Sequence, residues 1–284
     1  MYLDYFGLDV YPFSLTPNTD FFVSLPSHKQ CLDMLVAALR EGEGFVKIVG
    51  EVGSGKTLLC RKLISMLDPK EFYTAYIPNP YLNPLEIRFA LAYELEIFYE
   101  ETLTEHTLLE TIYDRLILLA NEGKKVVLII DEAQAMSPET LEAVRLLTNL
   151  ETETEKLLQV VLFGQPELDK QLANPGLRQF RQRITFSKKL HLLNKELMQQ
   201  YIGYRLMGAG FSRGQLFLPN ALKKLHKLTQ GTPRLINIVC HKAMIYAFSQ
   251  NQFQIDEYAI RLVAQETEGL KVHSQRFWPL KIVG

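Results

Sequence analysis

The chain has 284 residues, enough for one large α/β domain and a smaller second domain. It carries 31 basic and 32 acidic residues, and a net charge of −1 gives no general attraction for nucleic acid or anionic lipid. The cysteines lack C-x-x-C spacing, and no apolar run reaches the ~18 residues of a membrane-spanning helix. Because the N-terminus also lacks a signal-peptide pattern, these features predict a soluble cytoplasmic protein.

The order of hydrophobic patterns divides the chain into four parts. Residues 1–26 are rich in aromatic residues and proline, and residues 27–193 alternate strand-like and helix-like patterns. Such alternation predicts a parallel sheet with helices on both faces. Residues 194–268 show helical patterns only, which predicts a small all-helical lid domain before a tail at 269–284. The predicted strands are Phe45–Val49, Phe72–Ile77, Val126–Ile130, Val160–Phe163 and, as a candidate fifth strand, Ile184–Phe186.

The predicted helices fill the spaces between and after these strands. Proline and glycine interrupt the pattern at several points, notably at Gly208-Ala209-Gly210 and Gly231-Thr232-Pro233. A first helix is predicted after the cap residue Ser27, with apolar residues at Leu32, Leu35, Val36 and Leu39. The other predicted helices are Lys56–Leu67, Pro84–Tyr99, Thr107–Asn121, Pro138–Leu150, Glu196–Met207, Pro219–Thr229, Pro233–Phe248 and Asp256–Glu266.

A phosphate-binding pattern follows the first predicted strand. The run Gly50-Glu51-Val52-Gly53-Ser54-Gly55-Lys56-Thr57 matches G-x-x-x-x-G-K-[ST], and Leu58 continues it into a helix. Glycine lets the backbone N–H groups approach phosphate oxygens, at a helix N-terminus that favours anions. Lys56 would place its charge on the β- and γ-phosphates, and Thr57 would offer its hydroxyl to Mg²⁺. The alternative, a glycine-rich turn that merely precedes a helix, fits the flanking strand less well.

Two carboxylates end the third predicted strand. Asp131 and Glu132 follow an apolar run, and ligands in a parallel sheet bind at the carboxyl ends of its strands. Asp131 can hold Mg²⁺ together with Thr57, while Glu132 can polarise the attacking water. The alternative is that these acids only cap the following helix.

Together, these and later motifs resemble the AAA+ ATPases. The resemblance rests on the phosphate loop, Asp131-Glu132, Phe163-Gly164-Gln165, the arginines between Leu177 and Ile184, and Gly231-Thr232-Pro233-Arg234. More narrowly, the chain is similar to the ExeA/GspA secretion ATPases, and among them to the short ATPases of MSHA-pilus biogenesis. The motifs of that narrower resemblance are Tyr5-Phe6-Gly7-Leu8, Pro12-Phe13, Thr16-Pro17-Asn18, Gly42-Glu43-Gly44-Phe45, Asp131-Glu132-Ala133-Gln134 and Gly164-Gln165-Pro166-Glu167-Leu168.

The resemblance implies roles for further residues. Gln165 would be sensor 1 near the γ-phosphate, and Arg234 would be sensor 2, reaching the phosphates from the lid. One arginine among Arg178, Arg181 and Arg183 would be a finger given to a neighbouring subunit, or the three form a surface basic cluster. In the N-terminal segment, Tyr11, Pro12 and Phe13 would either contact adenine or pack as an aromatic staple on the core.

The resemblance therefore implies a Mg²⁺-dependent ATPase, forming a ring or a nucleotide-dependent dimer. Its expected partners are pilus or secretion assembly proteins at the inner membrane, and the apolar, basic tail at 271–284 is a candidate docking peptide. Two alternatives remain: a DNA-targeting ATPase of the transposition-regulator type, against which the neutral charge argues, and a nucleotide-gated scaffold with little turnover. Glu132 argues against the scaffold, because a pure switch does not need it.

Overall fold

The computed structural model describes residues 2–15, 22–23, 25–98, 104–151 and 156–270. The chain forms two compact units. One, here called the α/β unit, comprises the described residues of Pro17–His191, and the other, the helical unit, comprises those of Met1–Thr16 and Leu192–Gly284.

The α/β unit alternates strands and helices. Its strands all pair in parallel, in the order β2-β3-β4-β1-β5, which confirms the predicted parallel sheet. Strand β4 therefore lies between the strand that precedes the phosphate loop and the strand that precedes Asp131. The elements are α2 (Pro26–Arg40), β1 (Phe45–Gly50), α3 (Lys56–Met66), β2 (Phe72–Ile77), α4 (Pro84–Glu94), α5 (Glu105–Asn121), β3 (Lys125–Ile130), α6 (Pro138–Leu147), β4 (Leu158–Gly164), α7 (Pro166–Leu172), α8 (Arg178–Arg183) and β5 (Ile184–Leu190), with 3-10 turns at Ala133–Ala135 and Pro175–Leu177.

Helices cover both faces of this sheet, as the sequence predicts. Successive residues of a strand point to opposite faces, so Leu128 and Ile130 face one side while Val127 and Ile129 face the other. The first side packs against α4 to α8, and the second packs against α2 and α3. Burial on both faces explains why β3 is apolar throughout.

Helix α4 is shorter than the predicted Pro84–Tyr99. It ends at Glu94, and Glu96 adopts a left-handed conformation with φ 56°. The apolar pattern continues past this end because Leu95 is buried and Ile97 packs against the same core, which is why the sequence overextends the helix. Tyr99 lies outside the described residues.

The helical unit contains α1 (Tyr2–Phe6), α9 (Lys195–Gly208), α10 (Pro219–Thr229), α11 (Pro233–Ser249) and α12 (Glu257–Gln265), so a helical part follows the α/β part as predicted. Asn194 caps α9 by accepting a hydrogen bond from the Leu197 N–H. Gly231 follows α10 with φ 75°, and a β-carbon there would lie 1.8 Å from the Leu193 carbonyl oxygen. Glycine is therefore required at this close approach.

The N-terminal residues pack within the helical unit. Phe6 and Phe13 are fully buried, and the ring of Phe13 lies 6.1 Å from that of Phe217 in an edge-on arrangement. The buried Arg205 donates to the carbonyl oxygens of Pro12 (2.6 Å) and Ser14 (3.2 Å). Residues 2–15 are thus an integral layer of this unit.

Candidate functional site

The phosphate loop links β1 to the N-terminus of α3. Gly53 and Gly55 have φ values of 75° and 97°, a region that side chains with a β-carbon rarely enter. A β-carbon on Gly50 would lie 2.6 Å from the Ser54 hydroxyl. The three glycines of the motif therefore serve the turn itself, and the loop opens onto the first turn of α3, where backbone N–H groups have no helical partner.

Lys56, the first residue of α3, is a buried cation. Its ammonium donates to the carbonyl oxygens of Gly50 (2.9 Å) and Glu51 (3.1 Å), and only 5% of the residue is exposed. Burial lowers the pKa of Lys56, while the charges of Glu132 and Asp131 act in the opposite direction. The positive charge thus lies inside the loop, opposite two carboxylates.

Asp131 follows β3 and is 2% exposed. Its carboxylate accepts a hydrogen bond from the Glu132 N–H at 2.9 Å, and the Thr57 side chain lies near enough to lower the pKa of Asp131. Burial raises the pKa of Asp131, and these two groups oppose the rise. A hydroxyl and a carboxylate held together in this way form an oxygen donor pair of the kind that Mg²⁺ prefers.

Glu132 has an unusual backbone and a held side chain. Its φ is 51°, a left-handed conformation that costs energy for a residue with a β-carbon. Its Oε2 accepts from the side-chain amides of Gln165 (2.9 Å) and Gln134 (2.6 Å). Burial raises the pKa of Glu132, but the two amides and the charge of Lys56 outweigh burial, so the pKa lies below its ordinary value. Glu132 is therefore held as a carboxylate.

The strand order explains how these residues meet. Because β4 runs between β1 and β3, Gln165 at its carboxyl end lies beside Glu132, while Lys56 and Thr57 come from the loop after β1. The structure thus brings together the predicted residues Lys56, Thr57, Asp131, Glu132 and Gln165 at one edge of the sheet.

Two polar atoms at the loop have no hydrogen-bond partner among the described residues. They are the Ser54 hydroxyl and the Nδ1 of His28, both buried. His28 lies in the first turn of α2, its ring approaches Gly55, and burial lowers its pKa while a hydrogen bond with the Ser54 backbone raises it. Sequence reasoning missed His28 because a histidine without ligand spacing carries no signal.

The arginines of α8 differ in their surroundings. Arg178 and Arg181 are exposed, one turn apart, and the structure shows no ion pair for either within its described part. Arg183 instead donates to the Thr148 hydroxyl at 3.2 Å. The buried Phe180 anchors the helix between them. All three arginines are exposed, and within the described residues only Arg183 of the three has a side-chain hydrogen bond.

The remaining predicted residues belong to the helical unit. Arg234 is exposed in the first turn of α11. Phe13 is buried against Phe217, and the half-exposed Tyr11 packs edge-on against Tyr2 and His241. The tail at 271–284 lies outside the described residues.

The chain is similar to known proteins over most of its length. Residues 39–172 match the family model of the AAA domain. The chain carries an AAA domain. It is also 42% identical over 271 residues to the general secretion pathway protein A of Aeromonas hydrophila, an alignment that covers 95% of this chain and 49% of that protein. The chain thus spans about half the length of this relative and is related to a secretion protein over most of its own length.

Solved structures share the fold. The Cdc6p protein of Pyrobaculum aerophilum superposes with a TM-score of 0.70 and 19% identity, covering 90% of this chain and 70% of that one. The ORC2 protein of Aeropyrum pernix, in ADPNP-ADP complexes, gives 0.68 and 16%, with coverage of 92% and 72%. The RuvB branch migration motor of Thermotoga maritima gives 0.56 and 18%, with coverage of 90% and 72%. The chain therefore has the same overall fold as these proteins.

No helix in the described ranges is both long and apolar enough to span a lipid bilayer.

Proposed function

We propose that this AAA domain binds ATP with Mg²⁺ and hydrolyses it. The observation that carries the proposal is the cluster at the carboxyl edge of the sheet, where Lys56, the Thr57–Asp131 pair and the Glu132–Gln165 pair converge. A loop with a buried cation, an oxygen donor pair and an oriented carboxylate is what phosphoryl transfer to water requires.

The loop residues fit a bound triphosphate. The Ser54 hydroxyl is buried with no partner in the described chain, and the Lys56 ammonium donates to carbonyl oxygens of the loop itself. With a triphosphate bound, both groups would donate to phosphate oxygens instead. The backbone N–H groups of Gly50 to Leu58, at the N-terminus of α3, would do the same. ATP rather than another nucleotide is proposed from the likeness to AAA+ proteins.

Thr57 and Asp131 fit a magnesium ion. The Thr57 side chain acts on the Asp131 carboxylate, and both oxygens belong to the hard donors that this ion selects. When bound, the ion would neutralise phosphate charge. Burial raises the pKa of Asp131, and this cost is relieved when a cation lies against the carboxylate.

Glu132 acts on water. Its carboxylate accepts a proton from the water as the oxygen attacks the γ-phosphorus and the bond from that phosphorus to the β–γ bridging oxygen breaks. Lys56 stabilises the charge that develops on the phosphoryl oxygens, and Gln165, already bonded to Glu132, presents its amide to the same region.

We further propose that an oligomer completes the site. Arg178 and Arg181 project from α8 without an ion pair in the described structure, as an arginine finger for a neighbouring subunit would. Arg234 would contribute from the helical unit as sensor 2. Arg183, bonded to Thr148, is the least available of the three α8 arginines.

The proposed cellular role is support of a type IV pilus, like that of the MSHA-pilus ATPase MshM, or of a related secretion apparatus at the inner membrane. Its support is the 42% identity to a general secretion pathway protein. Affinity capture of the intact chain with and without ATP, from a cell that assembles the apparatus, tests this role. Nucleotide-dependent recovery of assembly proteins is expected, and their absence in both states contradicts it.

Hydrolysis is tested by steady-state phosphate release from purified chain with ATP and Mg²⁺. Lys56→Ala should lose fluorescent-nucleotide binding and phosphate release together, because the loop loses its buried charge. Lys62→Ala, an exchange further along the same helix, is the matched control and should behave like wild type. A Lys56→Ala protein that binds and hydrolyses normally would contradict the assignment of the loop.

A further inference from the structure

Gln134 bridges two residues of the proposed hydrolytic site. Its side-chain nitrogen donates to Glu132 Oε2 at 2.6 Å, and its side-chain oxygen accepts from the Gln165 backbone N–H at 2.9 Å. Gln165 in turn donates its own amide to the same Glu132 oxygen at 2.9 Å. The three residues form a closed ring of hydrogen bonds at the ends of β3 and β4.

The partners fix the direction of these bonds. A backbone N–H can only donate and a carboxylate can only accept, so the Gln134 oxygen must face Gln165 and its nitrogen must face Glu132. No other orientation of this amide satisfies both neighbours.

The ring of hydrogen bonds orients the Glu132 side chain, because Glu132 lies in neither a helix nor a strand. Glu132 has a left-handed φ of 51°, between the end of β3 and the 3-10 turn Ala133–Ala135, so no regular element fixes its side chain. Both amides bind one oxygen, Oε2, which leaves Oε1 free of these amides. Carboxylate orientation is therefore set by Gln134 and Gln165 together.

We propose that Gln134 is a positioning residue for hydrolysis, which holds the Glu132 carboxylate so that its second oxygen meets the attacking water. This inference rests on the proposed function, because it assigns Gln134 a task only if Glu132 acts on water. A residue that orients a reacting group affects turnover more than substrate affinity, since the oriented group contributes mainly in the transition state.

Two substitutions distinguish positioning from bracing of the backbone. Gln134→Glu has nearly the same shape and keeps an oxygen for the Gln165 N–H, but it replaces the donor to Glu132 with a second negative charge. Gln134→Met removes both hydrogen bonds at similar size. If Gln134 only braced Gln165, the glutamate variant would work like wild type and only the methionine variant would fail.

We expect kcat for phosphate release to fall by about 10- to 100-fold in Gln134→Met and at least as far in Gln134→Glu, as expected when a hydrogen bond to a charged group is lost. Fluorescent-nucleotide affinity should stay within about 3-fold of wild type in both. Gln171→Met is the matched control, because the Gln171 amide donates to the Met136 carbonyl at 2.8 Å, beside the same 3-10 turn, without contacting Glu132. Its kcat should remain near that of wild type.

A double substitution adds a second readout. Gln134→Met and Gln165→Met should lower kcat by less in combination than the product of their separate effects, because both act on one carboxylate oxygen. If the double variant lowers kcat by the full product of the two separate effects, Gln134 and Gln165 do not act together on the Glu132 carboxylate, and the proposal is wrong.

The outcomes separate this inference from the function beneath it. If wild type turns over ATP while Gln134→Glu and Gln134→Met keep wild-type kcat, positioning by Gln134 is wrong and hydrolysis stands. If Gln134→Glu alone keeps wild-type kcat, the residue only braces the backbone, which also overturns the proposal. If the wild-type chain binds nucleotide but releases no phosphate, both fail together.

Discussion

The carboxyl edge of the sheet and the aromatic layer of the helical unit, which is formed by Tyr2, Phe6, Phe13 and the rings they contact, both hold buried side chains, yet they are built in opposite ways. The sheet edge encloses charge: Lys56 and Asp131 are nearly inaccessible, the Ser54 hydroxyl has no partner among the described residues, and Glu132 has φ 51°. In the aromatic layer Tyr2 packs edge-on against Phe6 and Phe13 packs edge-on against Phe217, and the Tyr2 hydroxyl lies 3.0 Å from His241 Nδ1. The sheet edge thus combines an unpartnered hydroxyl with a left-handed glutamate, and a bound ligand would satisfy the hydroxyl.

The largest effect should come from the α8 arginines that are proposed to serve a neighbouring subunit. Replacing the finger, Arg178→Ala or Arg181→Ala, should leave ATP binding intact and lower turnover by roughly 10³- to 10⁵-fold. Arg183→Ala, which removes only the bond to Thr148, is the internal control. Mixing the inactive arginine variant with Glu132→Gln should restore part of the activity, because one subunit supplies the arginine and the other an intact site.

Two results would contradict the shared site. One is wild-type turnover in both arginine variants, and the other is a specific activity that stays constant on dilution far below the assembly concentration.

Substitutions in the aromatic layer should lower the stability of the protein and leave the chemistry of the site unchanged. Phe13→Ala removes a ring that is 1% exposed, and a loss of about 3–5 kcal/mol in the free energy of unfolding is expected for such a core truncation. Urea denaturation measures it, with the exposed Tyr204→Ala as a control in the same unit. If Phe13→Ala is as stable as wild type but loses nucleotide affinity, Phe13 contacts adenine and belongs to the nucleotide site.

A smaller effect of opposite sign is expected at the sheet edge. Ser54→Ala removes a buried hydroxyl that no described residue satisfies, so the nucleotide-free protein should become more stable by about 1 kcal/mol, since such a group costs roughly 1–3 kcal/mol. Nucleotide affinity should fall in the same variant. Thermal unfolding with and without ATP measures both, and a destabilised nucleotide-free variant would show that the hydroxyl has a structural partner.

The smallest effect concerns pH, where the two regions behave alike. Burial lowers the pKa of His28 at the loop and of His241 in the aromatic layer. Below the unfolded value of about 6.5 the unfolded chain therefore binds more protons than the folded one, and stability should fall as pH decreases through that value. Urea midpoints at pH 7.5 and 5.5 should differ less in His28→Gln than in wild type. If the midpoints of His28→Gln and of wild type change equally with pH, His28 is not the residue that takes up the proton.

The sequence predicts the fold well because periodicity reports burial directly. Strands such as β2 (Phe72–Ile77) were placed correctly, and the alternating pattern gave the parallel sheet with helices on both faces. The end of α4 was wrong because the buried Leu95 continues a helical pattern that the backbone leaves. Apolar periodicity alone does not detect a left-handed residue such as Glu96.

The site was predictable only where spacing along the chain encodes it. The phosphate loop is contiguous, so Lys56 and Thr57 could be named, and Asp131 and Glu132 follow from their place after an apolar strand. The hydrogen bonds of Gln134 depend on the strand order β3-β4-β1, which brings Glu132 and Gln165 together. The approach of His28 to Gly55 depends on the packing of α2. Local sequence patterns contain neither kind of information. The roles assigned to Gln165, Arg178, Arg181 and Arg234 stay predictions.

The measurement that tests the account most directly compares Glu132→Gln with wild type at saturating ATP and Mg²⁺. The substitution keeps the size of the side chain and removes the charge that accepts the proton from water. Phosphate release should fall by roughly 10²- to 10⁴-fold, the range for loss of a general base, while fluorescent-nucleotide affinity remains near wild type. Wild-type phosphate release in Glu132→Gln would contradict the account, because the carboxylate held at the edge of the sheet would then have no part in hydrolysis.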